Sequence, residues 1–321
     1  MGFLTGILEF FEQNGIQILL SGISMGGQLA LIAIGYTMVY GILRLINFAH
    51  GDLFMVSGML GIGLSSAIAD MLAQSGVEVT AVVAVCIALP IAIILTIALG
   101  FIIERVAYQP LRSAPRMSVM ISAIGVSYLL QNTATYVTGG QPMTYPTIDF
   151  LNNTVDIAGT PTKMVVIITP FLVAILVVLL TLLINKTKIG MAMRAVSKDF
   201  ETSRLMGIKV NTVISVTFVI GSALAAVGAI LYFSTYPGIT PTAGSMPGLK
   251  SFVAAVFGGI GSIPGAVIGA FIIGICETLI KYLPSGWDVS VFSDAFTFAL
   301  LIVILVFKPT GLFGEKATDK V

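Results

Sequence analysis

The densest cluster of ionisable side chains lies between Asn185 and Asn211, in NKTKIGMAMRAVSKDFETSRLMGIKVN. Lys186, Lys188, Arg194, Lys198, Arg204 and Lys209 are opposed there only by Asp199 and Glu201. So much charge between two apolar runs marks a cytoplasmic loop. Within it, Glu201-Thr202-Ser203 followed by Gly207 has the form of a short helix that ends at a glycine. A helix of that kind suits docking onto a soluble partner.

Two further stretches interrupt apolar sequence with polar or glycine-rich residues. GILRLINFAHGDLF (41–54) carries Arg44, Asn47, His50 and Asp52, and GGIGSIPG (258–265) follows Lys250. Each lies in one half of the chain, and each can unwind a helix in a bilayer. Glycine-interrupted segments in corresponding positions of two halves point to a translocation path. Unwound backbone survives in lipid only where protein or water satisfies it. The competing reading makes 44–52 a short cytoplasmic turn with Arg44 and Asp52 solvated. Glu277 and Lys281 stand four apart in the favourable order for a helical pair. They read as a neutralised pair near the outer interface, and Asp294 as an acid at the start of the last helix.

Several chemistries are missing from the sequence. No G-x-x-x-x-G-K-[ST] occurs; the stretch Gly244 to Ser251 has an extra residue between Gly248 and Lys250. There is no ladder of carboxylates of the kind proton-driven carriers use, no Arg-rich voltage sensor and no TVGYG-like filter. His50 beside Asp52 falls short of a nucleophile–base constellation and is too little for a metal site. Cys86 and Cys276 both sit in apolar runs and read as small core residues rather than a disulfide.

The elements that hold these residues are membrane helices. The chain is 57% hydrophobic and 10% charged, with mean hydropathy +1.03, where soluble domains carry about 25% charge. Its net charge of +1 argues against nucleic acid as a partner. A span needs about 20 apolar residues, which predicts passes at roughly 17–43, 53–69, 80–103, 118–136, 164–184, 212–233, 264–280 and 292–307. The run 249–258 is too short for a comfortable span and reads as broken or re-entrant. Glu9 and Glu12 replace the basic start of a cleavable signal. Leu4, Ile7, Leu8 and Phe11 repeat at helical spacing, so 1–15 reads as an amphipathic surface helix. Arginine in 104–117, the basic surplus of 185–211, and Lys308, Lys316 and Lys320 in the tail 308–321 belong on the cytoplasmic side. The N-terminus then lies outside and the C-terminus inside. The proline-rich 137–163 reads as an irregular outer segment, either a landing place for a receptor or a plain connector.

Long stretches of the chain are similar to one family. YTMVYGILRLINFAHGDLFMVSG (36–58), ERVAYQPLRSAPRMSVMISAIGVSYLLQN (104–132), MRAVSKDFETSRLMGI (193–208), FVAAVFGGIGSIPGAVIG (252–269) and KPTGLFG (308–314) resemble the membrane permease subunit of branched-chain amino acid ABC importers, the LivH type. The resemblance covers about 17–314 and implies an all-α polytopic permease domain spanning 1–321, in a bacterial inner membrane. It implies a related permease as partner, two cytoplasmic ABC ATPase subunits that bind the ATP, and a periplasmic binding protein that delivers the amino acid substrate. The chain itself would be non-catalytic and hold no cofactor or metal. Glu201, Thr202, Ser203 and Gly207 occupy the places of the E-A-A-x-x-x-G coupling motif, with hydroxyl residues for both alanines and without the following Ile and Leu-Pro. Arg194, Lys198, Asp199, Glu201 and Arg204 would then meet the ATPase surface. The path would run past the backbone of Gly258, Gly259 and Gly261, with Asn47 and His50 as lesser candidates. Urea, short amides or other amino acids are alternative cargoes, and an ion-coupled carrier is a competing class that the missing carboxylates disfavour.

Overall fold

In the computed structural model the described residues are 2–75, 81–112, 114–146, 148–157, 159–283, 289–308 and 310–314. They form helices α1 (Gly2–Leu43), α2 (His50–Gln74), α3 (Ala81–Ile103, continued by a π-helical turn Glu104–Tyr108), α4 (Arg116–Thr138), α5 (Asp149–Asn152), α6 (Met164–Lys186), α7 (Lys188–Lys198), α8 (Phe200–Leu205), α9 (Val210–Thr235), α10 (Ser245–Gly258), α11 (Ile263–Tyr282) and α12 (Ser293–Phe307). Four short strands, β1 (Met143–Thr144), β2 (Thr154–Ile157), β3 (Thr160–Lys163) and β4 (Gly238–Ile239), complete them.

Among the described residues, seven helices are long and apolar enough to cross a membrane, in α1, α2, α3, α6, α9, α11 and α12. The 23 residues of α4 are long enough too, at about 35 Å, but Ser127, Gln131 and Asn132 make it less apolar. The 14-residue α10 spans only about 21 Å, short of a bilayer core of about 30 Å. It is the broken pass expected around 249–258. The first pass differs from expectation. One continuous helix runs from Gly2 to Leu43, with its apolar span over Asn14–Leu43. The side chains of Leu4, Ile7, Leu8 and Phe11 lie outside the described residues, as do Lys316 and Lys320 of the tail.

The interior is built on α1, whose Leu29, Leu31, Ile32 and Ile34 are fully buried. Small residues let its neighbours approach backbone to backbone, the usual solution where lipid removes any hydrophobic drive between helices. A Cβ at Gly22 would sit 2.8 Å from the Cα of Ile275, and one at Gly26 would sit 2.7 Å from the Cα of Phe271, both on α11. On the outside of the bundle α3, α6 and α12 present Ile94, Phe101, Phe171, Ile175 and Phe307. Apolar exposure of that extent is what a lipid-facing surface requires. Cys86 and Cys276 are both free, as expected, but Cys86 lies on the exposed face of α3 rather than in the core.

Each end of the bundle has its own clasp. β1 pairs antiparallel with β4, Met143 opposite Ile239, and β2 with β3 as a hairpin. The segment 137–163 is thus partly ordered by strand pairing rather than irregular throughout. At the other end the Glu104 carboxylate takes an ion pair from Arg112 and a hydrogen bond from Ser215 Oγ (2.7 Å). Arg112 also donates to Asn211 Oδ1 (2.5 Å). Beyond α12 the chain returns to α10, where Leu312 N donates to Phe257 O and Phe313 N to Gly258 O, both at 2.9 Å.

Candidate functional site

The basic segment folds as two helices at a corner. Thr187 caps α7 by accepting from Gly190 N, and α7 is amphipathic, with Gly190, Met193 and Val196 buried and Lys188, Arg194 and Lys198 exposed. Arg194 turns back to donate to Ile184 O and Asn185 Oδ1, which fixes the α6–α7 corner. Asp199 starts α8: its carboxylate accepts from Glu201 N (2.9 Å), Thr202 N (3.2 Å) and the Thr202 hydroxyl (2.5 Å). Gly207, at φ +83°, ends it. Gly207 N donates to Arg204 O and Ile208 N to Ser203 O, the paired closing bonds of a Schellman turn.

Of the residues expected to meet a partner, Lys198, Glu201, Thr202 and Arg204 are exposed, while Ser203 is buried against the bundle. Arg194 and Asp199 are exposed as well, but their charged groups shape the fold locally. The tip of α8 carries two residues that charge counting alone misses, Leu205 and Met206, which are 87% and 78% exposed. They follow Arg204 directly and are the most exposed of the apolar side chains on α7 and α8, ahead of Met191, Ile189 and Phe200. Arg105, Arg204 and Lys209 also line a groove between α8, the start of α9 and the end of α3.

The 41–54 stretch is neither a solvated turn nor a wholly open path. Arg44, at φ +55°, reverses the chain after α1. Residues 45–49 then fold back into the bundle, so that His50 packs against Gly35 and, edge-on at 4.9 Å, against Tyr36. Gly35 lies eight residues before the end of α1, about 12 Å along the helix. Arg44 is exposed, but Asn47, His50 and Asp52 are each only 2% exposed. Asn47 Oδ1 accepts from the Tyr108 hydroxyl at 2.6 Å, so Asn47 and His50 hold the re-entrant turn in place.

GGIGSIPG forms the corner between α10 and α11. Gly259 and Gly261 have φ +107° and +97°, and Ser262 Oγ caps α11 by accepting from Gly265 N (3.2 Å). Gly258 packs on Gly265, and Gly259 on Gly311 and Gly314 of the returning C-terminal segment. These glycines serve a tight corner at the end of the bundle.

The interior opening lies elsewhere, where the N-terminal ends of α2 and α10 meet. Gly51 and Gly248 pack so closely that a Cβ on Gly248 would sit 2.8 Å from the Cα of Gly51. Beside this contact is a cavity of about 170 Å³. Its walls include Tyr36, Phe48, Leu249 and Phe252, and its polar groups come from Asp52, Ser127, Gln131 and Ser245. Gln131 Nε2 reaches Asp52 Oδ1 (3.0 Å) and Ser245 Oγ (3.3 Å), joining three helices. The expected path residues Asn47, His50, Gly258, Gly259 and Gly261 are not among its lining. Phe48, Gly51 and Asp52, next to the first two, are. The sequence reading missed Ser127 and Gln131; polar side chains four apart on one face of a membrane helix are the signal that would have found this cavity.

A network of charges fixes the short helix on its other face. Lys250 of α10 pairs with Glu277 of α11 (2.7 Å) and Asp294 of α12 (2.6 Å), and Glu277 also takes Lys281 (2.6 Å). Glu277 is wholly buried, so its pair with Lys281 is part of an interior network and not an isolated surface pair.

Known proteins share this sequence along most of its length. The family described as branched-chain amino acid transport system, permease component, matches residues 18–305. BraD of Pseudomonas aeruginosa, named a high-affinity branched-chain amino acid transport system permease protein, is 40% identical over 312 residues, covering 95% of this chain and 98% of that one. LivH of Escherichia coli K12, with the same description, is 39% identical over 311 residues, covering 95% and 97%. Among solved structures, a chain of PsaBC from Streptococcus pneumoniae in complex with Fab aligns at TM-score 0.43 and 13% identity, covering 94% of this chain and 99% of that one. With a family match from residue 18 to residue 305 and near-complete mutual coverage of such relatives, this chain belongs to the permease component family of branched-chain amino acid transport systems.

Proposed function

We propose that this chain is a membrane-spanning permease subunit of an ATP-driven importer of branched-chain amino acids. The observation that carries the reading is the end-to-end likeness to permeases of that description, 40% identical over 95% of this chain. The exposed α8, capped at both ends and tipped by Leu205 and Met206, supports a mechanical role. Two ATPase subunits on the cytoplasmic side bind and hydrolyse ATP, and their closure pushes on α7–α8. Lys198, Glu201 and Arg204 make the polar contacts there, and Leu205 and Met206 fill an apolar recess. A related permease completes the path, and a periplasmic binding protein delivers the substrate. The N-terminus lies on the periplasmic side and the C-terminus in the cytoplasm, which puts the basic 185–211 segment inside. The chain holds no cofactor of its own.

Uptake of labelled leucine tests this, in membrane vesicles containing the chain with its neighbouring permease, ATPases and binding protein. The expected result is ATP-dependent uptake that disappears when the binding protein is left out. Binding-protein-stimulated ATP hydrolysis without leucine uptake would keep the importer and assign another cargo, such as urea, a short amide or a different amino acid. Uptake driven by an ion gradient, without ATP or binding protein, would overturn the reading.

A further inference from the structure

The cavity between α2, α4 and α10 contains an anomaly in its charge. Asp52 is 2% exposed, and among the described residues no lysine, arginine or histidine nitrogen forms a salt bridge with it. Its recorded partners are neutral, the amide of Gln131 and the hydroxyl of Ser127. Carboxylates inside a membrane protein are paired or serve a ligand, because burial without a partner is costly. The same chain shows the usual solution twice, at Glu104 with Arg112 and at Glu277 with two lysines. Asp52 differs from both in facing open space.

We propose that Asp52 is a binding residue for the α-ammonium group of an amino acid in transit, so that the permease itself selects for zwitterions. This rests on the importer reading above and adds to it a substrate site within the membrane. The rest of the cavity fits the same ligand. Phe48, Leu249 and Phe252 offer an apolar wall to an aliphatic side chain. The Ser245 hydroxyl shares the Gln131 amide nitrogen with Asp52, and the first turn of α10 packs on Gly51, so the positive end of that helix dipole lies beside Asp52 and suits a carboxylate there. An amino acid, whose two charged groups share one carbon, therefore meets Asp52 and the helix N-terminus side by side, with its side chain against the apolar wall. Urea and neutral amides lack the cation that Asp52 lacks a partner for.

The test uses the assembled transporter with its binding protein. Asp52→Asn keeps the acceptor for Gln131 and removes the charge. We expect leucine transported per ATP hydrolysed to fall at least ten-fold, with binding-protein-stimulated hydrolysis retained and Asp52→Glu partly restoring transport. Unchanged leucine per ATP in Asp52→Asn would overturn the proposal and leave the importer reading intact. If the wild-type complex hydrolyses ATP but moves neither leucine nor any other amino acid, the proposal falls while the importer keeps another cargo; uptake driven by an ion gradient without ATP would take the importer reading down as well. If Asp52→Asn does not assemble, a cysteine at the rim decides the matter. Leu249→Cys, with Cys86 and Cys276 changed to serine, is alkylated in the ATP-free complex. Slowing by leucine but not by 4-methylpentanoate, which lacks only the ammonium, supports the proposal. Equal slowing by both, or by neither, overturns it.

Discussion

Asp199 and Gly207 bound a helix of only six residues, too short to persist on its own propensity. Asp199→Ala removes the cap and is expected to cost about 1 kcal/mol, while Asp199→Asn keeps most of it. Gly207→Ala places a Cβ at φ +83°, and although no atom lies close enough to clash, the left-handed backbone alone costs about 1 kcal/mol. Both Ala variants should reach the membrane and hydrolyse ATP while moving fewer leucine molecules per ATP. Paired uptake and hydrolysis assays in vesicles check this, and normal stoichiometry in both would count against α8 as the coupling element. The helix and its end were legible in the sequence because Glu201-Thr202-Ser203 and Gly207 are local, whereas Asp199 read as a partner-facing charge and not as the cap that it is. The partnership of Asp52 with Gln131 was not legible, because 79 positions separate them and only the fold brings them together.

Among α1–α4, α6 and α9–α12, α10 is the shortest, at 14 residues. Its charge network is therefore the place to test its stability. Lys250→Met leaves the buried Glu277 with Lys281 only, which is partly exposed and reaches in from its own helix. The expected loss is about 3 kcal/mol, read as a lower thermal midpoint of the purified permease in detergent. Adding Glu277→Leu should recover most of that loss, since the stranded buried charge is then gone; no recovery would locate the effect outside the ion pair. Most helices here were visible as apolar runs of the right length, and the short run followed by glycines was visible as a break. The depth at which the breaks sit was not. A sequence shows that 44–52 is polar, but whether it lies in water or folds back beside Gly35 depends on what Tyr108, Tyr36 and Gly221 offer it. Likewise the spacing of Glu277 and Lys281 announces a pair, while Lys250 and Asp294 join it only across helices.

For the whole molecule, the proposed orientation has a direct consequence for labelling. With Cys86 and Cys276 changed to serine, Met206→Cys should react with a membrane-impermeant maleimide only from the cytoplasmic side, and Tyr136→Cys only from the periplasmic side. Both positions are well exposed, at 78% and 90%. The reverse pattern in spheroplasts and inverted vesicles would invert the whole arrangement of partners. The backbone bonds that tie Leu312 and Phe313 to Phe257 and Gly258 also impose an order on biosynthesis. Two carbonyls at the end of α10 leave the ribosome well before the residues that satisfy them, with α11 and α12 made in between. The short helix is thus left unfinished in the nascent chain until the segment beyond α12 emerges.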